Sequence, residues 1–129
     1  MSRRIGLFSI LVPDYDDAID HFVNDLGFEL VEDTPEPRKR WVVVRPSPDA
    51  ETGVVLAEPT TPEQQAAMGK QLGGRIGFFL YTDDFERDHA RMIAAGIHFR
   101  EEPRHEPYGI VAVFDDKYGN GWDLLQPTD

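Results

Sequence analysis

An internal repeat constrains the fold of this chain more than any other feature. The strand-like stretch IGLFSILVPD precedes a segment with helical spacing that ends at Gly27, and RIGFFLYTDD precedes another that ends at Gly96. Three further strand-like segments follow each of these glycines, which favour the left-handed conformation that ends helices. The order βαβββ therefore occurs twice, and we expect two copies of one structural unit.

The apolar pattern defines the elements of the first copy. Phe8, Ile10 and Val12 alternate along a strand, and Asp14 or Asp16 can cap the helix that follows. The helical stripe consists of Ala18, Ile19, Phe22, Val23 and Leu26, and the three later strands are predicted at residues 28–33, 40–46 and 52–59. Pro, Ser and Asp residues between these strands are typical of turns.

The second copy repeats this pattern with a small shift. Its helical stripe consists of Phe85, His89, Met92 and Ile93, and its later strands are predicted at residues 97–103, 109–116 and 121–127. LGFEL aligns with AGIHF at an offset of 69 residues, whereas ILVPD aligns with FLYTDD at 70. The alignment predicts that the second copy has lost one residue where its first strand joins its helix.

Each copy needs a partner to cover its sheet. A single helix buries only one face of four strands, so the other face must be covered by another unit. We expect an α+β fold in which two βαβββ modules form a half-open barrel with the helices outside and a central cavity. The chain is then a single domain, with module one at 1–60, a linker at 61–74 and module two at 75–129. The linker has the composition of a short helix from Pro62 to Lys70.

Composition excludes several classes of function. The 129 residues include no cysteine, which removes disulfides, thiolate nucleophiles and sulfur-based zinc sites. Lysine and arginine total 13 against 24 acidic residues, and the net charge of −11 repels nucleic acids and anionic membranes. The apolar runs are too short for a membrane span or a secretory signal, so we expect a cytoplasmic protein.

Strand alternation predicts which side chains line the cavity. The predicted lining consists of Leu7, Ser9, Leu11, Gly77, Phe79, Tyr81, Asp123 and Leu125. Ser9, Tyr81 and Asp123 are its polar members, and such a lining suits a small, partly hydrophobic ligand. Trp41 begins a strand, where it either stacks on a ligand or belongs to the core or rim.

His105 is the histidine with a candidate chemical role. It lies in EEPRHEPYG, where it either acts as an acid–base residue near neutral pH or belongs to a solvated loop between Pro103 and Pro107. His21 and His89 fall on the predicted helices, where we expect structural roles. The sequence contains no HxH or HExxH spacing that would indicate a histidine-rich metal site.

Two groups of motifs point to a known family. They are LVPDYDDAIDHFVNDLGFEL in the first half, and RIGFFLYTDDFERDHARMIAAGIHFREEPRHEPYG with VFDDKYGNGWDLLQP in the second. With these motifs the chain resembles the vicinal oxygen chelate superfamily, which includes glyoxalase I, bleomycin-resistance proteins and extradiol dioxygenases. The resemblance implies paired modules and a homodimer. In many members it also implies a divalent metal, held by the first and last strand of each module.

The four metal-binding positions that the resemblance implies fall on Leu7, Val55, Gly77 and Asp123. Only Asp123 can bind a metal, and one carboxylate leaves most of a coordination sphere to water, so we expect no metal cofactor. Two roles then remain for Asp123. Its carboxylate either forms hydrogen bonds with backbone groups or with an arginine, or it stays a lone acid that serves as a base or contacts a ligand.

Two functions remain open. We expect a glyoxalase/bleomycin-resistance-like protein that binds a small, partly apolar molecule without the usual metal site. The alternative is a glyoxalase-type lyase or dioxygenase-like enzyme with a divalent metal, in which Asp123 transfers protons together with Tyr81 or His105. Lactoylglutathione lyase activity is not expected, because enolisation needs electrophilic stabilisation by a bound cation.

Overall fold

The computed structural model describes residues 2–129 and has a mixed α+β fold. It contains two sheets, and the chain divides into two compact units at residues 1–69 and 70–129. The boundary between the units falls inside the predicted linker. The α+β class and the duplicated order of elements are confirmed. The half-open barrel and its central cavity stay predictions.

The first unit contains a four-stranded sheet. Its elements are β1 (Leu7–Leu11), α1 (Tyr15–Asp20), a π-helical segment (His21–Asp25), β2 (Glu29–Pro35), β3 (Arg40–Arg45), β4 (Gly53–Ala57) and α2 (Pro62–Ala67). The strand order is β1-β4-β3-β2, in which β1 runs parallel to β4 and the other pairs are antiparallel. α2 is the helix predicted for the linker, and it ends at Ala67 rather than Lys70.

The second unit repeats this arrangement. Its elements are β5 (Phe78–Tyr81), α3 (Phe85–Ala94), β6 (His98–Phe99), β7 (Arg104–Glu106), β8 (Gly109–Asp115) and β9 (Gly121–Pro127). The strand order is β5-β9-β8-β6, β7 also pairs with β8, and β5 runs parallel to β9. No helix within residues 2–129 is long and apolar enough to cross a membrane.

Equivalent hydrogen bonds show how closely the two units correspond. The Val12 N–H donates to the Ala57 carbonyl at 2.9 Å, and the Thr82 N–H donates to the Leu125 carbonyl at 2.9 Å. These pairs are related by offsets of 70 residues in the first strand and 68 in the last strand. The repeat therefore extends to individual backbone contacts, and it identifies equivalent positions in the two sheets.

The residue that distinguishes the two copies lies inside the first helix. The N-cap residues are Asp14 and Asp84, still 70 residues apart, so the junctions between first strand and helix are of equal length. At the end of the first helix, the Leu26 N–H reaches back five residues to the His21 carbonyl, whereas the equivalent Ala95 N–H after α3 reaches back four to the Arg91 carbonyl. A π-helical turn accommodates one additional residue. The prediction of a residue lost at the second junction is therefore wrong.

A series of aromatic rings joins α3 to one face of the second sheet. Neighbouring ring centroids lie 4.5 to 5.8 Å apart along Phe85, His89, Phe99, Phe114 and Trp122. His89 is a half-buried member of this series, which is a structural role. Ile93 is 52% exposed, so its predicted place in the apolar stripe of the helix is wrong.

The strand predicted at residues 97–103 is interrupted. β6 contains only two residues, and the chain leaves the sheet before it returns as β7, which pairs with β8 through Arg104, His105 and Glu106. The prediction of one continuous strand is wrong, and so is the interpretation of residues 104–106 as a solvated loop. A proline at position 103 lacks the N–H needed in a strand ladder, which favours the interruption.

Candidate functional site

One face of the second sheet carries Phe79, Tyr81 and Asp123, and we call it the aromatic face. Phe79 pairs with Asp123 across β5 and β9, and Tyr81 pairs with Leu125, so the pleat directs these side chains to the same side. Phe79 is 60% exposed and Tyr81 is 64% exposed. Trp122, one residue away, belongs to the opposite face, which packs against α3. The aromatic face therefore presents large apolar rings around a carboxylate.

The first sheet has an equivalent face. β1 and β4 pair Leu7 with Gly53 and Ser9 with Val55, and the alternation also assigns Leu11 to this side. Trp41 lies two residues before Val43, which pairs with Val55, so Trp41 shares the face. Leu7 is 45% exposed. The register thus brings together the ligand-binding residues predicted in module one.

Asp123 occupies a partly buried position on the aromatic face. Burial raises the pKa of the Asp123 carboxyl above its ordinary value, the Arg104 guanidinium opposes this shift, and the Glu101 carboxylate adds to it. The raised pKa reflects the energetic penalty of removing a carboxylate from water. A proton at this position binds more tightly than on an exposed aspartate, so Asp123 is suited to accept or share a proton with a bound molecule.

Glu101 and Arg104 form a second polar group on the same face. The Arg104 Nε donates to the Glu101 Oε1 at 2.8 Å, and the Val113 N–H donates to the Glu101 Oε2 at 2.9 Å. The hydrogen bond from Arg104 is the main cause of the lowered pKa of Glu101. The carboxylate of Glu101 satisfies a backbone donor of β8 where β6 and β7 are interrupted. The interruption of the edge strand therefore places Glu101 and Arg104 near Asp123.

Glu101 and Arg104 are not among the site residues predicted from the sequence, because the local pattern predicts a strand followed by a loop for their segment. A signal was present in the alternation of Arg104 and Glu106 before Gly109, which is typical of a short strand leading into a hairpin. The Arg104 Nη1 also lies 3.6 Å from the Glu106 Oε1. Arg104 is thus held between two acidic side chains, and its orientation depends on β7.

His105 points away from this group. It pairs with Ile110 of β8, whereas Arg104 pairs with Val111, so the two side chains leave opposite faces of the sheet. His105 lines a groove on the α3 side together with Phe85 and His89. The structure therefore brings Asp123, Tyr81, Phe79 and Leu125 together, and it separates His105 from them.

The YGN motif has a structural explanation in the buried carboxylate of Asp116. Its Oδ1 accepts hydrogen bonds from the backbone N–H groups of Tyr118 and Asn120 at 2.9 and 3.0 Å. Its Oδ2 accepts from the Asn120 Nδ2 and the Trp122 Nε1, both at 2.9 Å. Asp116 thereby fixes the turn that begins β9, and this turn determines which residues of β9 reach the aromatic face.

The four positions implied for a metal do not supply a suitable donor set. In the register of the sheets, Leu7 and Gly77 are equivalent, and so are Val55 and Asp123. Only the carboxylate of Asp123 is a metal donor among them. Within residues 2–129, no group of three or more histidine and acidic side chains is arranged to hold a metal ion. These residues do not fit the metal site that many members of the family resembled by this chain contain.

Comparison with known families places this fold. The sequence profile of the Glyoxalase/Bleomycin resistance protein/Dioxygenase superfamily matches residues 4–124. The chain belongs to this superfamily. An uncharacterized protein of Shewanella frigidimarina (strain NCIMB 400) is 50% identical over 131 residues, covering 100% of this chain and 97% of that protein.

Solved structures of similar proteins match nearly the whole chain. TnmS3, an antibiotic binding protein from Streptomyces sp. CB03234, has a TM-score of 0.82 and 34% identity, covering 98% of both chains. A glyoxalase/bleomycin resistance protein from the same organism has a TM-score of 0.76 and 35% identity, covering 95% of this chain and 100% of that one. The resemblance inferred from the sequence motifs is confirmed.

Proposed function

We propose that this superfamily member binds a small, partly apolar molecule on the aromatic face, without the metal ion that many relatives hold. The observation that carries the proposal is the exposure of Phe79 and Tyr81 beside Asp123. Large exposed rings are unfavourable in water unless a ligand or partner covers them, and aromatic side chains bind flat apolar groups with little loss of conformational entropy.

Similarity to an antibiotic binding protein supports the same ligand class. TnmS3 shares 34% identity with this chain over almost its full length. The net charge of −11 favours neutral or cationic ligands over anionic ones, because a negative protein surface raises the local concentration of cations. We therefore propose a ligand with a flat apolar ring system and a basic or hydroxylated group that reaches Asp123.

Titration calorimetry tests the proposal. Aminonaphthalene serves as a neutral aromatic probe and a bleomycin-class glycopeptide as a cationic one, and mass spectrometry of the recovered ligand reports any chemical change. We expect saturable binding with the ligand recovered intact. If neither probe binds more tightly than about 1 mM, which corresponds to about −4 kcal/mol, the proposed ligand class is wrong.

One observation favours a second candidate, an enzyme that uses Asp123 for proton transfer. Burial raises the pKa of Asp123, and such shifts are frequent in general acids and bases. Tyr81 is its nearest predicted partner in the register, two pairs along β5 and β9 and on the same face. An assay with the hemithioacetal of methylglyoxal and glutathione, alongside metal analysis of protein prepared without chelator, tests this candidate. Turnover that disappears in Asp123→Asn would favour it.

The predicted homodimer also belongs to this proposal. Sedimentation velocity at micromolar concentration measures the oligomeric state directly, and a monomer at every concentration would contradict it. A dimer that forms only with the aromatic probe present would link assembly to ligand binding.

A further inference from the structure

The turn that precedes β5 covers part of the aromatic face. Leu72 lies in this turn, and a β-carbon built on Gly77 would clash with the Leu72 Cδ1 and come within 3.4 Å of its Cγ. Gly77 belongs to the same face as Phe79, because one residue lies between them and successive residues of an extended strand point to opposite faces. The side chain of Leu72 therefore occupies the space that any larger residue at position 77 would need.

A neighbouring glycine extends this covered area. The Gly77 N–H donates to the Gly121 carbonyl at 3.1 Å, so the two positions are adjacent across the strands. A β-carbon on Gly121 would lie 2.8 Å from the Ile76 Cδ1 and 3.1 Å from the Arg100 Nη2. The space above Gly77 and Gly121 is thus occupied by side chains from outside the strands. Gly121 lies two residues before Asp123 on the same strand.

Leu72 combines this packing with exposure. Its side chain is 53% exposed although it contacts the sheet, so an apolar surface remains at the edge of the aromatic face. Gly73 and Gly74 follow it with positive φ angles of 65° and 94°, a conformation that reverses the chain direction. The turn therefore carries Leu72 at a position where one side contacts the strand below and another apolar side stays exposed.

We propose that Leu72 closes one end of the aromatic face and determines the length of the ring system that the face accepts. This inference rests on the proposed function. β5 rises about 3.3 Å per residue, so about 13 Å separates Tyr81 from Gly77 along the strand. A longer ring system laid along β5 from Tyr81 therefore reaches Leu72 before a shorter one does. Leu72 is thus a specificity-determining residue for neutral and cationic aromatic ligands.

The first test uses two amines that differ in the size of their fused ring system. Aminonaphthalene and aminopyrene carry the same amine on two and four fused rings, and both are titrated into the full chain and into Leu72→Ala. We expect the affinity for aminopyrene to rise at least about tenfold in the variant, the lower end of the discrimination that one methylene group gives in an apolar pocket. We expect the affinity for aminonaphthalene to stay within about threefold. An unchanged ratio of the two affinities would overturn the inference.

The second test needs no ligand. Gly77→Ala displaces Leu72 in the full chain, whereas in the Leu72→Ala background the added methyl group fills free space, so the two substitutions are coupled in a double-mutant cycle. Thermal unfolding of the four proteins measures this coupling. Gly6→Ala is the matched control, because a β-carbon there meets nothing within 4 Å. Additive shifts in melting temperature would contradict the packing of Leu72 over Gly77.

The two tests separate this inference from the proposed function. If neither aromatic amine binds the full chain, Leu72 has no aromatic ligand to select and this inference fails, whereas the proposed function fails only if the cationic glycopeptide does not bind either. If both probes bind the full chain but Leu72→Ala leaves their ratio unchanged, the proposed function stands and the role of Leu72 is wrong.

Discussion

The side chain of Gln126 accepts a hydrogen bond from the backbone N–H of Phe85 at 2.7 Å. The equivalent residues of the first unit form the same contact, in which Glu58 accepts from the Tyr15 N–H at 3.0 Å. The first N–H groups of a helix have no partner within the helix. The second unit satisfies one of them from within β9, and the first unit does so from the residue that follows β4. This contact fixes each helix to the strand that supplies the candidate site.

Substitution of Gln126 by alanine should therefore lower the free energy of unfolding by about 1 kcal/mol. Gln126→Glu retains an acceptor oxygen, so its free energy of unfolding should fall by less. The same holds for Glu58→Gln in the first unit. Urea titrations of the three variants measure these differences. An alanine variant as stable as the parent chain would show that the contact contributes nothing to stability.

Loss of the Asp116 carboxylate should be far more damaging. Asp116→Ala removes the acceptor for four hydrogen bonds and leaves the buried Trp122 indole N–H and Asn120 amide without that partner. We expect a loss of about 3 to 5 kcal/mol, a large fraction of the stability of an ordinary domain. Asp83→Ala is the control, since its side chain is 94% exposed. Equal denaturant midpoints for the two variants would contradict the structural role of Asp116.

The aromatic face should contribute to binding rather than to stability. Phe79→Ala and Tyr81→Ala should change the free energy of unfolding by less than about 0.5 kcal/mol, because both rings are mostly exposed. Each should weaken binding of aminonaphthalene about tenfold, as loss of an aromatic contact residue does. Ile93→Ala provides a matched control, since Ile93 is an exposed apolar residue on α3. Calorimetry that finds the same affinity for all three variants would place the ligand elsewhere.

Asp123→Asn should stabilise the protein near neutral pH. Burial raises the pKa of Asp123 in the folded state, so the folded protein binds this proton more tightly than the unfolded chain does. The ionised carboxylate therefore lowers stability above the raised pKa, and this penalty disappears as the pH falls below the ordinary carboxyl range. Melting temperatures of both proteins from acid to neutral pH measure the effect. The variant should melt higher at neutral pH, and a difference that grows towards acid pH would have the wrong sign.

Much of the fold could be predicted from the sequence because its signals are local. The alternation around Ile10, the N-cap aspartates Asp14 and Asp84, and the glycines at positions 27 and 96 each depend on residues within one or two turns of the chain. The faces of β1, β5 and β9 also follow from alternation once the strands are known. The additional residue in the first helix could not be located from the sequence, because a π-helical turn has no distinctive composition.

The sequence by itself determined the repeat, the superfamily, and the solitary acid at Asp123, since all three are properties of residue type and order. Only the tertiary structure decided that Arg104 and Glu101 accompany this acid, that His105 does not, and that Leu72 covers Gly77. These relationships depend on strand register and on a break in an edge strand. A shift of one residue in pairing reverses the face of every side chain, and neither composition nor local periodicity specifies where such a break occurs.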